Sequence, residues 1–242
     1  MMQQLLLQLA PPPAPTLENF VPGRNGAALQ ALRDIARSAG GERFVYLWGG
    51  TGSGRSHLLR GLAQAARGGT GVYLCGTPGG RMAADHRIAL DDGIAAADGI
   101  AADNVIAVDN VPDLPAADQI ELFNLYNRVR AGAGALVASG DAAPAQLALR
   151  DDLRSRLAWG LVFQLHPLSD EEKAGALRQH ARGRALELPE DVVAYLLSHA
   201  RRDMASLIGI LDALDRYSLE QKRAVTLPLV KNALESMKDK PA

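Results

Sequence analysis

The octapeptide Gly49-Gly50-Thr51-Gly52-Ser53-Gly54-Arg55-Ser56 follows directly on the apolar run Phe44–Trp48 and leads into a helix-compatible stretch, His57–Ala66. Strand, glycine-rich loop and helix stand in the order that a phosphate-binding loop requires. Its four glycines let backbone N–H groups converge on phosphate oxygens, and the helix behind them adds the positive end of its dipole. The pattern is that of the G-x-x-x-x-G-K-[ST] phosphate loop, with Arg55 in the lysine position and Ser56 placed to coordinate Mg²⁺. An arginine fork still binds phosphate, but it is bulkier and differently directed than an ammonium. The expectation is a nucleotide binder with impaired hydrolysis; the plain alternative is a flexible glycine-rich turn.

A second apolar run, Val105–Val108, ends in Asp109. A carboxylate at the end of a buried strand is the arrangement that holds Mg²⁺ from its water shell beside a phosphate loop. The next residue is Asn110, whose amide cannot accept the proton of an attacking water. This too predicts weak turnover. Taken singly, Asp109 could be a solvated strand end and Asn110 a turn residue before Pro112.

Five apolar runs read as buried strands: Phe44–Trp48, Val72–Cys75, Val105–Val108, Ala135–Ala138 and Leu161–Leu165. Helix-compatible stretches lie in three of the four gaps, so the alternation predicts an α/β domain with a five-stranded parallel sheet. A helix is also expected across Ala27–Ala39. After Pro167 the pattern is helical only: a capping-box spacing at Ser169 and Glu172, Pro189 opening a second helix, a stripe of Met204, Leu207, Ile208, Leu211 and Leu214, and a last helix over Pro228–Met237. The expected organisation is a tag and proline-rich linker over 1–15, an α/β nucleotide-binding domain over 16–167 and a small all-helical lid domain over 168–242.

Composition narrows the function classes. The 242 residues are 48% hydrophobic and carry a net charge of -1, which excludes a domain that coats nucleic acid by bulk charge. One cysteine, Cys75, excludes an intramolecular disulfide and any multi-cysteine metal site; in a strand it reads as a small buried apolar residue. The five histidines show no metal-ligand spacing on one helix face. Neither a membrane-spanning run nor the basic start of a signal peptide is read, so the expected location is the cytoplasm.

With these residues placed, the chain resembles the AAA+ P-loop ATPases, and within them the group formed by the bacterial replication initiator DnaA and its regulatory inactivators of the Hda type. The similarity runs from Thr16 to about Met237. It rests on the entry segment Thr16–Asn25, the run Leu47–Leu59 with Arg55 in it, the block Phe123–Arg128, Ser139-Gly140-Asp141, Leu153–Gly160 and Arg202-Asp203-Met204. The resemblance implies an entry segment with Asn25 near the adenine, Ser139 in the place of the γ-phosphate sensor, a finger arginine at Arg156 and a lid arginine that senses phosphate at Arg202. Read on their own chemistry, Arg154 and Arg156 are exposed charges beside a turn, and Arg202 is a helix-start arginine. The helix-turn-helix and folded N-terminal domain of DnaA are not expected in this sequence, which is the Hda arrangement.

The segment Gln4-Leu5-Leu6-Leu7-Gln8-Leu9 is similar to the Q-L-x-L-x-L peptides that dock on the bacterial sliding clamp. Gln4 would anchor by hydrogen bonds while Leu5, Leu7 and Leu9 fill apolar pockets. The resemblance therefore implies a negative regulator of replication initiation. It would hold ADP (or ATP) with Mg²⁺ at Gly49–Ser56 and Asp109, be tethered to the DNA polymerase III β sliding clamp, and supply Arg156 to ATP on DnaA. DNA would be reached only through the clamp; self-association is compatible with this reading, and no membrane is involved. The competing reading is an autonomous AAA+ NTPase resembling a helicase loader, which Asn110 disfavours.

Overall fold

The computed structural model describes residues 14–66, 70–76, 83–84, 100–184, 186–200, 203–221 and 224–238. The chain divides into two units, one of Pro15–Pro167 and one built on the residues from Leu168 onward.

The first unit is a sheet between two helical layers. Its strands are β1 (Phe44–Trp48), β2 (Gly71–Cys75), β3 (Ala83–Ala84), β4 (Val105–Asp109), β5 (Ala135–Gly140) and β6 (Leu161–Gln164), in the order β3-β2-β4-β5-β1-β6. Five strands are parallel, as the alternation predicts. The sheet has a sixth member that sequence did not disclose: the two-residue β3 pairs antiparallel with β2 and forms one edge. The helices are α1 (Gly26–Ala36), α2 (Arg55–Ala65), α3 (Ala116–Ala131) and α4 (Asp151–Leu157).

Strand side chains alternate between two cores. On one face Val45, Leu47, Tyr73, Ala107 and Val137 meet Leu29 and Leu32 of α1 and Leu58, Leu59 and Leu62 of α2. On the other, Tyr46, Val72, Leu74, Ile106, Val108, Leu136 and Ala138 meet Leu122, Leu125 and Val129 of α3 and Leu153 of α4. Burial on both faces explains why β2, β4 and β5 are nearly unbroken apolar runs. The expectation of a buried strand fails at β6. It is the opposite edge of the sheet, and Leu161 and Val162 are exposed. An apolar run alone does not distinguish a central strand from an edge, because which strands flank it is set by the crossovers.

The second unit consists of α5 (Asp170–Gly183), α6 (Glu190–His199), α7 (Met204–Gln221) and α8 (Leu227–Lys238) around Leu177, Val193, Leu196, Leu207, Leu211, Leu214 and Val230. The capping box forms as its spacing predicts: Ser169 Oγ accepts from Glu172 N at 3.1 Å, and Glu172 Oε2 accepts from Ser169 N at 2.7 Å. Pro189 stands one place before α6, as its N-cap, rather than within the first turn. Polar ties join the helices. Arg178 makes two bonds to Glu190, at 2.8 and 2.6 Å. Asp212 receives both His180, at 2.7 Å, and Arg184, at 2.9 Å.

Gly71 shows how closely α2 lies on the sheet. A Cβ there would overlap the Ala63 carbonyl oxygen and stand 2.6 Å from the Ala63 carbonyl carbon, so only a glycine lets the two backbones meet. Gly26, in the first turn of α1, faces open space at a helical φ of -56°. Gly71→Ala should therefore destabilise by about 1–3 kcal/mol. Gly26→Ala should be neutral or stabilise by up to ~1 kcal/mol. Urea unfolding of the two variants beside the parent chain checks the contrast.

Candidate functional site

The registers of β4, β5 and β1 bring three loop starts to one end of the sheet. Trp48 pairs with Gly140 and Val108 with Ala138, so the glycine loop, Asp109 and Ser139 leave the sheet side by side. In open parallel sheets the crevice beyond the carboxyl ends of the strands is the ligand site.

The loop 49–54 links β1 to α2 with little bonding of its own: Gly49 N donates to Gly140 O at 3.4 Å and Ser53 N to Gly50 O at 3.2 Å. Gly54 is the N-cap of α2 at φ 92°, in the left-handed region that glycine adopts at no steric cost, and it has no side chain to cap the helix. The first N–H groups of α2 are thus left for a ligand. Arg55 and Ser56 open the helix, Arg55 half-buried and Ser56 exposed, with Thr51 and Gly52 exposed before them. Ser53 is buried, and among the described residues its hydroxyl has no partner. These features fit a phosphate chain.

The entry segment seals the back of this loop. A Cβ on Gly54 would stand 2.6 Å from Phe20 Cε2, and the Phe20 ring lies 5.4 Å from that of His57. His57 Nε2 bonds the Thr16 carbonyl at 3.0 Å. The role of His57 was not legible in sequence, where it reads as a packing or solvent-facing residue. Asn25, expected near an adenine, has both polar atoms committed to backbone: Nδ2 donates to His166 O and Oδ1 accepts from His166 N, each at 2.8 Å. It is a buried tie between the entry segment and the chain leaving β6.

Asp109 is the most enclosed acid of the site, at 1% exposure. Tyr73 donates to its Oδ2 at 2.8 Å, Ser139 Oγ donates to its Oδ1, and Asn110 N donates to Oδ1 at 3.1 Å. A carboxylate has about four acceptor positions, so three are filled from within the protein. One position is left for a further donor or a cation. Ser139, expected to sense a phosphate, spends its hydroxyl on this carboxylate.

Asn110 adopts φ 54°, a left-handed geometry that asparagine tolerates, and its Nδ2 lies 3.9 Å from Cys75 Sγ. Burial, and then the charge of Asp109, raise the Cys75 thiol above its ordinary pKa, so this cysteine is a poor nucleophile. Burial, and then Asp109, likewise push the Tyr73 hydroxyl well above the tyrosine range, leaving it a firm donor. Tyr46, at the same place in β1, donates to Ala142 O at 3.1 Å. Neither tyrosine was singled out in the sequence. The available signal was a tyrosine in the middle of two otherwise apolar strands, since a buried hydroxyl must reach a partner.

Arg156 lies in the last turn of α4, away from these groups in the chain. Its guanidinium carbon is 4.6 Å from the centre of the Trp159 ring, 5.7 Å from Phe123 and 5.9 Å from Tyr126. The other arginines of the segment are neutralised: Arg154 pairs with Asp151 at 2.6 Å and Arg150 with Asp152 at 2.8 Å. Among the described residues Arg156 makes no ion pair. Arg202 and the segment carrying Gln4, Leu5, Leu7 and Leu9 lie outside the described residues. Among the described residues no cluster of three metal-ligating side chains occurs, and no helix is long and apolar enough to cross a membrane.

The sequence of residues 13–164 matches the family model of the bacterial DnaA ATPase domain. The chain belongs to the bacterial DnaA ATPase family. Residues 170–234 match the lid domain of Hda, so this is a DnaA-like AAA+ protein with a lid of the Hda kind. Among solved structures, domain III of the Thermotoga maritima replication initiation protein DnaA is 23% identical, with 96% of this chain and 100% of that one covered at a TM-score of 0.63. AMPPCP-bound DnaA from Aquifex aeolicus is 20% identical, covering 89% of this chain and 71% of that one at 0.62. A Thermotoga maritima RuvB is 16% identical over 96% and 73% at 0.60. These likenesses establish the AAA+ fold that the DnaA-family chain shares with them.

Two predictions follow from the packing behind the loop. Burial lowers the pKa of His57 below its ordinary 6.5, with the Thr16 bond opposing the shift. The unfolded chain then binds more protons than the folded one between the two values, so stability is lost as pH falls through the ordinary histidine range toward the lowered value. His57→Gln, which keeps a donor for Thr16, should flatten this part of a profile of urea midpoint against pH. Tyr73→Phe leaves Asp109 one donor short and should lower stability by about 1–3 kcal/mol, read from the same unfolding experiment at neutral pH.

Proposed function

We propose that this DnaA-family chain is a negative regulator of replication initiation that holds ADP as a structural ligand and presents Arg156 to ATP bound by DnaA. The observation that carries the reading is the pair Asp109–Asn110. The carboxylate is closed in by Tyr73, Ser139 and the Asn110 amide, and the residue beside it is an amide where a second carboxylate would activate water. A chain so built can bind nucleotide without turning it over efficiently. The Hda-type lid supports the same reading, as does AMPPCP binding by the Aquifex aeolicus DnaA, whose fold this chain shares.

In this proposal the amides of the loop and of the start of α2 bind the phosphates, Arg55 adds charge, and the entry segment with Phe20 holds the loop closed from behind. Ser56, and Asp109 through water, would hold Mg²⁺, which supplies neutralisation of phosphate charge when bound. Arg202 of the lid would reach toward the phosphates. Arg156 meets the developing charge on the phosphate of DnaA-bound ATP; a finger arginine of this kind accelerates hydrolysis by roughly 10³–10⁵. The segment with Gln4, Leu5, Leu7 and Leu9 docks on the sliding clamp, which raises the local concentration of the pair on clamp-loaded DNA.

The test follows labelled ATP pre-bound to DnaA, with this chain and ADP added, in the presence or absence of DNA-loaded clamp. Conversion to ADP is expected only with chain and clamp together. Arg156→Ala should bring the rate to that of DnaA alone. Replacing Gln4, Leu5, Leu7 and Leu9 by alanine should remove the dependence on the clamp together with the stimulation. Rapid hydrolysis of free ATP by the chain alone would instead favour an autonomous NTPase.

A further inference from the structure

Trp159 is 61% exposed, an unusual place for the largest apolar side chain in a folded unit. Two guanidiniums meet it, Arg156 of α4 and Arg130 of α3, each with its central carbon 4.6 Å from the centre of the ring. The backbone fixes this geometry at one end, since Trp159 N donates to Arg156 O at 3.2 Å. Below the arginines, Phe123 and Tyr126 of α3 complete an aromatic cage around Arg156. Among the described residues neither Arg130 nor Arg156 makes an ion pair, while Arg150 and Arg154 in the same segment do. A carboxylate partner would hold an arginine as well, but it would cancel the charge. An aromatic face holds the guanidinium plane through its quadrupole and leaves the charge and the five N–H donors available.

We propose that Trp159 is a positioning residue that pre-orders Arg156 to present its positive charge to a phosphate on a neighbouring molecule, with Arg130 bracing the indole. This rests on the reading of Arg156 as a group acting in trans. A free arginine side chain loses much rotamer entropy when it is fixed at a reacting centre, and the cage removes part of that loss beforehand.

The experiment has two arms. The first needs no partner. The chain has two tryptophans, so Trp48→Phe leaves Trp159 as the sole emitter. Adding Arg156→Ala in that background should raise quenching of Trp159 by acrylamide, because one face of the indole is uncovered; unchanged quenching would overturn the stack.

The second arm measures hydrolysis of DnaA-bound ATP against chain concentration, with clamp-loaded DNA and ADP present. Trp159→Leu should lower the rate at saturation roughly 2–30-fold, the worth of one cation–π contact, with the half-maximal concentration unchanged. Trp159→Phe, which restores a ring face, should recover most of the rate. If Trp159→Leu reaches the full rate, or changes only the half-maximal concentration or the melting temperature, the residue serves docking or folding and the proposal fails while Arg156 keeps its role. If Arg156→Ala retains stimulation, the trans reading itself fails and takes this proposal with it.

Discussion

A carboxylate nearly shut off from water is costly unless donors inside the protein replace the lost solvation, and Asp109 is held on that condition. Its donors come from three strands: Tyr73 from β2, Ser139 from β5 and the amide that follows β4. Beside the sheet's own ladder, this one group ties the middle of β2 to the ends of β4 and β5. The glycine loop hangs from the next strand, β1, whose register with β5 puts Gly49 beside Gly140. The glycine loop therefore starts two strands away from a carboxylate whose acceptor positions are mostly filled from within the protein.

Around this point the fold separates rigidity from availability. Phe20 packs near His57, His57 bonds the Thr16 carbonyl, and Asn25 bonds the backbone of the chain leaving β6, so these side chains tie the entry segment down. The start of α2, by contrast, has no side-chain cap, because its N-cap Gly54 carries no side chain. On α4 a similar division holds between arginines. Arg150 and Arg154 are neutralised by aspartates, and Arg156 is held by rings, which keep it in place without consuming its charge.

Much of this was legible in the residues. Strand–loop–helix order located the cradle; the run ending in Asp109 located the second strand of the site; Ser169 and Glu172 placed the start of α5. The non-local partners are another matter. The side chains of Ser139 and Asn25, which the resemblance places beside a nucleotide, bond Asp109 and the His166 backbone, partners 30 and 141 residues away in the chain. The partners of Tyr73 and His57, Asp109 and the Thr16 carbonyl, are 36 and 41 residues distant, so no local pattern marks either bond. The run over Leu161–Leu165 was read as buried because apolar character is local, whereas its place at the edge of the sheet is not.

By itself the sequence determined the local units. Periodicity set which segments are strands and helices; glycines at 49–54 set where the backbone could approach a phosphate; and Asn110 set the absence of a second carboxylate, a property of one residue that no folding can supply. Tertiary structure alone decided which strands adjoin, what closes Asp109 in, and which rings stand around Arg156. Those outcomes depend on contacts between residues far apart in the chain. Such contacts form only when the crossovers have placed the strands, so no window of sequence contains them.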